Sequence, residues 1–267
     1  VPPAEPFVIE QGPVGVLLIH GFMGYPAELR PLADELAARN FTVSVMLLAR
    51  HGGEPERLAG TRWSEWAASV EQAYQELAQR CERVALVGYS LGGLLALHLA
   101  STRPVPAVVT LAAPLQLQGG WPLRTLPVAR YVVPWFYPMR NADWSNPQLR
   151  EQLSARLGEI NWDDPQTVAL LQQGLRIPTG AIYELVRLSR RVRRELPRIT
   201  APALVTQGRL DQTVQPISAA QIMAGLGSRD KQLVYFERSG HGLPNDVEGD
   251  AVRALVGDWL VRVMNDE

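Results

Sequence analysis

The sequence predicts a mostly parallel, doubly wound α/β sheet interrupted by a helical insertion, and three observations predict it. Apolar runs of strand length recur with little polar alternation, helical patterns alternate with them, and the alternation stops for one long tryptophan-rich stretch before resuming. Strands covered on both faces read as continuous apolar runs because neither side meets water. Strand and helix in alternation argue for parallel strands joined by crossover helices. At 267 residues, one α/β domain with an insertion fits the length better than two independent domains.

The elements follow in order. "VGVLLI" (14–19) is the first long strand, and "PLADELAARN" reads as a helix with Pro31 in its first turn and Asn40 at its C-terminal stop. "FTVSVMLL" (41–48) is a second strand. "WSEWAASVEQAYQELAQR" places Trp63, Trp66, Ala67, Val70, Ala73, Tyr74 and Leu77 on one stripe at helical spacing. "VALVG" (84–88) is a buried strand running into a leucine- and alanine-rich helix, and "AVVTLAA" (107–113), "ALVTQG" (203–208) and "KQLVYFE" (231–237) complete the strands.

Between about Pro114 and Pro197 the pattern is helical and irregular, with no strong strand. Trp121, Trp135, Trp144 and Trp162, four of the seven tryptophans, fall here with Tyr131, Phe136 and Tyr137. Open α/β sheets bind ligands at the carboxyl edge of their strands, and long insertions near that edge are usually functional. The expected organisation is therefore a core of 1–113 and 198–267 with a helical cap of 114–197. Its last part, "TGAIYELVRLSRRVRREL", carries Arg187, Arg190, Arg191, Arg193 and Arg194. Ile182, Leu185, Leu188, Val192 and Leu196 recur at helical spacing, so the arginines fall on a solvated face and do not read as a nucleic-acid patch.

Charge and cysteine usage narrow the function classes. With a formal net charge of −1 and 20% charged residues, no overall field favours nucleic acid or an anionic membrane, and a small, roughly neutral substrate is the expectation. Lys231 is the one lysine among 26 basic residues, a bias from which no function is drawn. Cys81 is the lone cysteine, read as a buried, inert thiol, and no CxxC or Cys/His cluster offers a metal site. "VPPAEPF" lacks the basic and apolar regions of a leader, and no apolar run approaches the roughly 18 residues of a membrane span. The expected location is cytoplasmic, although a removed signal peptide would leave no trace.

The chemistry lies in Gly88-Tyr89-Ser90-Leu91-Gly92, a G-x-S-x-G pattern in the strand-turn-helix context that a nucleophile elbow requires. A serine at such a strained turn needs small neighbours two residues away on each side, which Gly88 and Gly92 supply. A base must take its proton, and histidine is suited to that near neutral pH. Of four histidines, His241 in "ERSGHGLPND" follows the last strand in a loop of small residues. His98 is about two helical turns from Ser90 and reads as a packed or surface residue. Asp211 comes three residues after the strand ending at Gly208, which brings a carboxylate to the same edge. The order Ser90, Asp211, His241 is that of the triad in α/β-hydrolases. Asp163 and Asp164 fall in the insertion, and Asp230 precedes its strand; these read as solvated carboxylates or caps. One oxyanion donor is expected from the N–H of Leu91, the other from the loop His20-Gly21-Phe22-Met23-Gly24.

With these residues in place the chain resembles the serine α/β-hydrolases, and within them the compact bacterial carboxylesterases and monoacylglycerol lipases. The resemblance rests on "IHGFMG", "GYSLGG", "VTQGRLDQTV" and "SGHG" and runs along nearly the whole chain. It implies an α/β-hydrolase fold, a second oxyanion donor at Phe22, and a small helical cap between the sixth and seventh core strands. Ala49-Arg50-His51-Gly52 departs from the proline-glycine-histidine-glycine loop common in that family, because Arg50 is bulkier than the expected glycine. His51 is then a structural histidine holding the loop.

The expected activity is two-step hydrolysis of short- to medium-chain carboxylic esters, monoacylglycerols among them, with no metal or organic cofactor. Phe22, Met23 and Leu91 are expected to wall the acyl site. The same triad could serve a thioesterase, an amidase or peptidase, a carbon–carbon bond hydrolase or a perhydrolase, which motifs around Ser90 do not separate. A haloalkane dehalogenase would carry a carboxylate where this chain has Ser90. A non-catalytic ligand receptor on the same fold would need no complete triad.

Overall fold

The computed structural model describes residues 4–118, 120–138, 140, 142–146, 150, 154, 160–164, 166–168, 171 and 176–265. Seven strands form the main sheet: β1 (Phe7–Ile9), β2 (Val14–Ile19), β3 (Thr42–Val45), β4 (Arg83–Tyr89), β5 (Val108–Leu111), β8 (Ala203–Gly208) and β9 (Lys231–Phe236). Their spatial order is β1-β3-β2-β4-β5-β8-β9, parallel throughout except for β1, which pairs antiparallel with β3. The strand expected at 41–48 is regular only over Thr42–Val45. Beyond it the backbone leaves the strand, and Leu48 N–H donates to His20 Nε2 at 3.0 Å.

The described helices are α1 (Arg30–Ala38), α2 (Trp63–Ala78), α3 (Leu91–Thr102), α4 (Gly120–Val132), α5 (Thr179–Glu195), α6 (Ile217–Gly225) and α7 (Gly249–Asn265). Apart from α4, which packs on α5, they cover both faces of the sheet, and strand alternation shows it. In β2, Leu17 and Ile19 join one core cluster with residues of α2, α3, α5 and α6, while Val16 and Leu18 join a second with α1 and α7. β4 divides likewise, Val84 and Leu86 to the first and Ala85 and Val87 to the second. Two buried faces explain the continuous apolar runs.

Among the elements outside the sequence expectations are α6, the short β1 and the long C-terminal α7. β1 is three residues long and follows Pro6, too short for a period-2 signal to register. α7 buries Val252, Val256, Trp259, Leu260, Val263 and Met264, a helical stripe packed on the second core. Cys81 is buried, and burial raises its thiol pKa, in keeping with an inert side chain.

The insertion lies between β5 and β8, the fifth and sixth described strands of the main sheet in chain order. It holds α4, α5 and a two-stranded ribbon of β6 (Trp135–Phe136) with β7 (Ile177–Pro178). α5 buries Ala181, Leu185, Leu188 and Val192 and leaves its arginines exposed, but it also buries Glu184 and Glu195. Each carboxylate pairs with an arginine one turn away, Glu184 with Arg187 on its C-terminal side and Glu195 with Arg191 on its N-terminal side. Of the insertion's tryptophans, Trp144 and Trp162 pack with ring centroids 6.4 Å apart and Trp135 lies under Arg176, whereas the Trp121 side chain lies outside the described residues. Asp164 accepts from the Gln166 and Thr167 N–H groups as a helix cap, and Asp163 is exposed. Asp230 pairs with Arg262 at the opposite edge of the sheet from Ser90.

Candidate active site

β4 ends at Tyr89 and α3 begins at Leu91, so Ser90 is the whole hinge, with φ 53° and ψ −118°. That conformation costs an L residue energy, and the surrounding backbone over-determines it. Ser90 N–H donates to Leu111 O at 2.8 Å, and Ser90 O accepts from Gly93 N–H at 2.9 Å. A Cβ on Gly88 would stand 2.2 Å from Gly92 O, across the turn. A Cβ on Gly92 would stand 2.0 Å from Ile19 O, so here the clash is with the neighbouring strand β2 and not with the turn itself.

Three strand ends converge. Asp211 follows β8 and His241 follows β9, and the two loops are tied by Leu210 N–H to Ser239 O at 3.0 Å. His241 Nδ1 lies 2.8 Å from Asp211 Oδ2, and His241 Nε2 lies 3.0 Å from Ser90 Oγ. A carboxylate only accepts, so the Nδ1 proton points at Asp211 and Nε2 faces the serine hydroxyl as acceptor. Ser90 and Asp211 are buried, and His241 keeps about a quarter of its side chain exposed.

Asp211 is also supported from behind. Its Oδ1 accepts from the Thr213 and Val214 N–H groups, both at 2.8 Å, and its Oδ2 accepts from Gln207 Nε2 at 2.7 Å. Burial pushes the Asp211 carboxyl up, but the hydrogen bond and charge of His241 and the two N–H groups outweigh it and hold the carboxyl below its usual range. Gln207 is fully buried in β8 and belongs to the site although sequence reasoning missed it. Its signal was a lone amide in the otherwise apolar run "ALVTQG".

Leu91 opens α3, so its N–H has no partner within the helix. The Leu91 side chain, expected as an acyl-site wall, is instead fully buried in the first core cluster, as the helix's inward face requires. Phe22 and Met23 remain partly exposed, and Phe22 packs edge-on against Trp66 and His51 at 6.0 and 6.1 Å. Met23 adopts φ 57°, which turns the loop after β2 back on itself. Arg50 adopts φ 64°, so the loop keeps a left-handed residue where the family commonly has glycine, with the Arg50 side chain outside on Glu65. His51 holds that loop through Nδ1 and Ala49 O at 3.0 Å. His98 is anchored to Glu195 at 2.8 Å on the flank of α3, away from Ser90. Among the described residues no group of three or more His, Cys, Asp or Glu side chains could hold a metal ion, and no helix is long and apolar enough to cross a membrane.

The doubly wound sheet, the serine hinge and the relay behind it define a serine hydrolase of the α/β-hydrolase class. The family model described as serine aminopeptidase, S33, matches residues 14–248, and the chain belongs to that family. It is 34% identical over 246 residues to a thermostable monoacylglycerol lipase of Bacillus sp. (strain H-257), across 89% of this chain and 86% of that protein. It is 29% identical over 260 residues to a carboxylesterase of Bacillus subtilis (strain 168), across 97% of each. A solved structure from work on LipS and LipT, two metagenome-derived lipolytic enzymes, superposes with a TM-score of 0.81 at 25% identity, over 98% of this chain and 99% of that one.

Proposed function

We propose that the protein hydrolyses carboxylic esters of short- to medium-chain acids, monoacylglycerols among them, with Ser90 as nucleophile, His241 as general base and acid, and Asp211 as the group that orients and stabilises the imidazolium. The observation that carries this reading is the unbroken line from Asp211 Oδ2 through His241 to Ser90 Oγ, at 2.8 and 3.0 Å. Similarity to a monoacylglycerol lipase and a carboxylesterase supports the ester as substrate.

Ser90 Oγ attacks the ester carbonyl as its proton passes to His241 Nε2, and the oxyanion meets the N–H groups of Leu91 and Phe22. The tetrahedral intermediate collapses, the alcohol leaves with the proton from His241, and an acyl-Ser90 ester remains. Water then gives its proton to His241, attacks the acyl-enzyme and releases the acid, restoring the serine hydroxyl. Residues 114–197 act as a cap over the carboxyl edge, with Phe22 and Met23 on the wall of the acyl site. Each buried methylene is worth about 0.8 kcal/mol, so rates will rise with chain length until the site is full.

The family's description as a serine aminopeptidase favours a second reading, amide hydrolysis by the same residues. Rates on p-nitrophenyl esters of increasing length, a monoacylglycerol, a thioester and an aminoacyl p-nitroanilide decide between them. Ester turnover that disappears in Ser90→Ala is expected; turnover of the anilide alone would overturn the esterase reading.

A further inference from the structure

The peptide joining Gly21 to Phe22 is held by its carbonyl. His20 Nδ1 lies 2.8 Å from Gly21 O, and Leu48 N–H donates to His20 Nε2 at 3.0 Å. Since Nε2 accepts, the proton of the neutral ring is on Nδ1, where it is donated to Gly21 O. Gly24 N–H donates to the same oxygen at 3.1 Å. All described peptide bonds are trans, and in a trans peptide the C=O and the N–H point in opposite directions. Two donors gripping Gly21 O therefore aim the Phe22 N–H the other way, and that N–H meets no protein acceptor among the described residues.

His20 is fully buried, with the His51 ring edge-on at 5.2 Å as its titratable neighbour. Burial and the nearby His51 lower its pKa to about 3, which keeps the ring neutral and its two hydrogen bonds in the sense just described. A protonated ring would turn a second N–H against the Leu48 N–H.

We propose that His20 is a positioning residue of the oxyanion hole: its neutral imidazole fixes the plane of the Gly21–Phe22 peptide against the loop at Leu48, so that the Phe22 N–H is oriented before substrate arrives. The proposal rests on Ser90 as nucleophile and Phe22 as oxyanion donor.

The test compares His20→Leu with His20→Asn, whose Nδ2 takes the place of Nδ1 and keeps the donor to Gly21 O. Turnover is counted per active site titrated with an organophosphonate, so that misfolded protein drops out. In His20→Leu, kcat per titrated site is expected to fall about 10–100-fold with KM within about threefold, because a donor displaced by an ångström forfeits most of its effect. Binding of a boronic acid that mimics the tetrahedral adduct should weaken by the same factor as kcat/KM, and His20→Asn should recover most of the loss. Unchanged kcat per titrated site in His20→Leu, or a His20→Asn no better than His20→Leu, would overturn the proposal. The unsubstituted protein offers a second test: ¹⁵N shifts of His20 should report the Nδ1–H tautomer, and the Nε2–H tautomer would also overturn it. If Ser90→Ala abolishes ester turnover while His20→Leu keeps it, only the positioning role fails; if Ser90→Ala retains turnover, the underlying reading fails.

Discussion

His241 Nε2 stands 3.0 Å from Ser90 Oγ across 151 positions of sequence, and that separation is bridged entirely by the sheet. Ser90 is held by its hinge between β4 and α3, and His241 by a loop whose ends are tied down. Gly240 N–H donates to Asp246 Oδ2 at 2.6 Å, and Ser239 Oγ donates to Glu248 Oε2 at 2.7 Å. The contact is therefore made by two rigid mounts and not by one flexible side chain.

Replacing Asp211 by asparagine is expected to lower kcat about 10³–10⁴-fold, since the wrong imidazole tautomer would face Ser90. Both oxygens of Asp211 accept from donors, so an amide at this position turns an NH₂ toward one set of them whichever way it is flipped. The variant should also lose stability, by about 1–3 kcal/mol for the mismatched buried donors. Steady-state kinetics beside urea unfolding checks both; full activity would assign the role to another acid.

Gly92→Ala should be among the most damaging small substitutions in the chain. The added methyl would meet Ile19 O at 2.0 Å, and that oxygen belongs to a central strand that cannot retreat. Overpacking a filled core typically costs about 1–3 kcal/mol, and the upper end applies where the atom met is backbone. A lowered unfolding midpoint together with a lowered rate is expected; a variant as stable and active as the parent would mean that the hinge sits farther from β2.

Acid should destabilise the fold through His20 and His51. Burial, the larger cause in both, lowers His20 to about 3 and His51 to about 4, against about 6.5 in the unfolded chain. Between those values the unfolded state binds protons that the folded state refuses, so stability is full above about pH 6.5 and falls as pH drops. Each imidazole contributes a slope of up to about 1.4 kcal/mol per pH unit near pH 5. Asp211, whose carboxyl is depressed, adds its loss only below about pH 4. His51→Asn, which keeps a donor for Ala49 O, should remove about one proton from the pH dependence of unfolding measured at pH 5–6. An unchanged slope would show that His51 takes up its proton in the folded state.

Much of this was legible because the constraints are local. A serine between glycines at a strand-to-helix switch leaves few alternatives, and carboxylate and imidazole positions follow once β8 and β9 are placed. Arg50 was harder: its left-handed φ shows that the backbone of the loop, more than the residue type, dictates the shape. What stayed hidden was orientation. Nothing in the sequence tells which way the Leu91 side chain turns, that His20 grips the Gly21 carbonyl, or that Gln207 reaches Asp211 from within its own strand. Those depend on neighbours brought together only by the sheet order, as does the antiparallel β1 that closes its edge.

Gln207 gives the sharpest test of how Asp211 is kept charged. Its Nε2 donates to Asp211 Oδ2 at 2.7 Å in a site closed to solvent, so Gln207→Glu sets two carboxyl groups against each other at nearly the same geometry. Two such groups cannot both ionise at that distance; they share a proton, and one pKa of the pair rises strongly. The pair then carries a single negative charge divided between Asp211 and the new side chain, and the imidazolium of His241 loses part of its stabilisation. At pH 7, kcat/KM is expected to fall about 10–100-fold, recovering as pH rises and the shared proton leaves, so the rising limb of the pH profile moves upward. Gln207→Leu removes one of four donors without adding charge and should cost less, about threefold to tenfold, with the limb nearly in place. A Gln207→Glu enzyme whose pH profile matches the parent's would show that the amide does not touch Asp211 in solution.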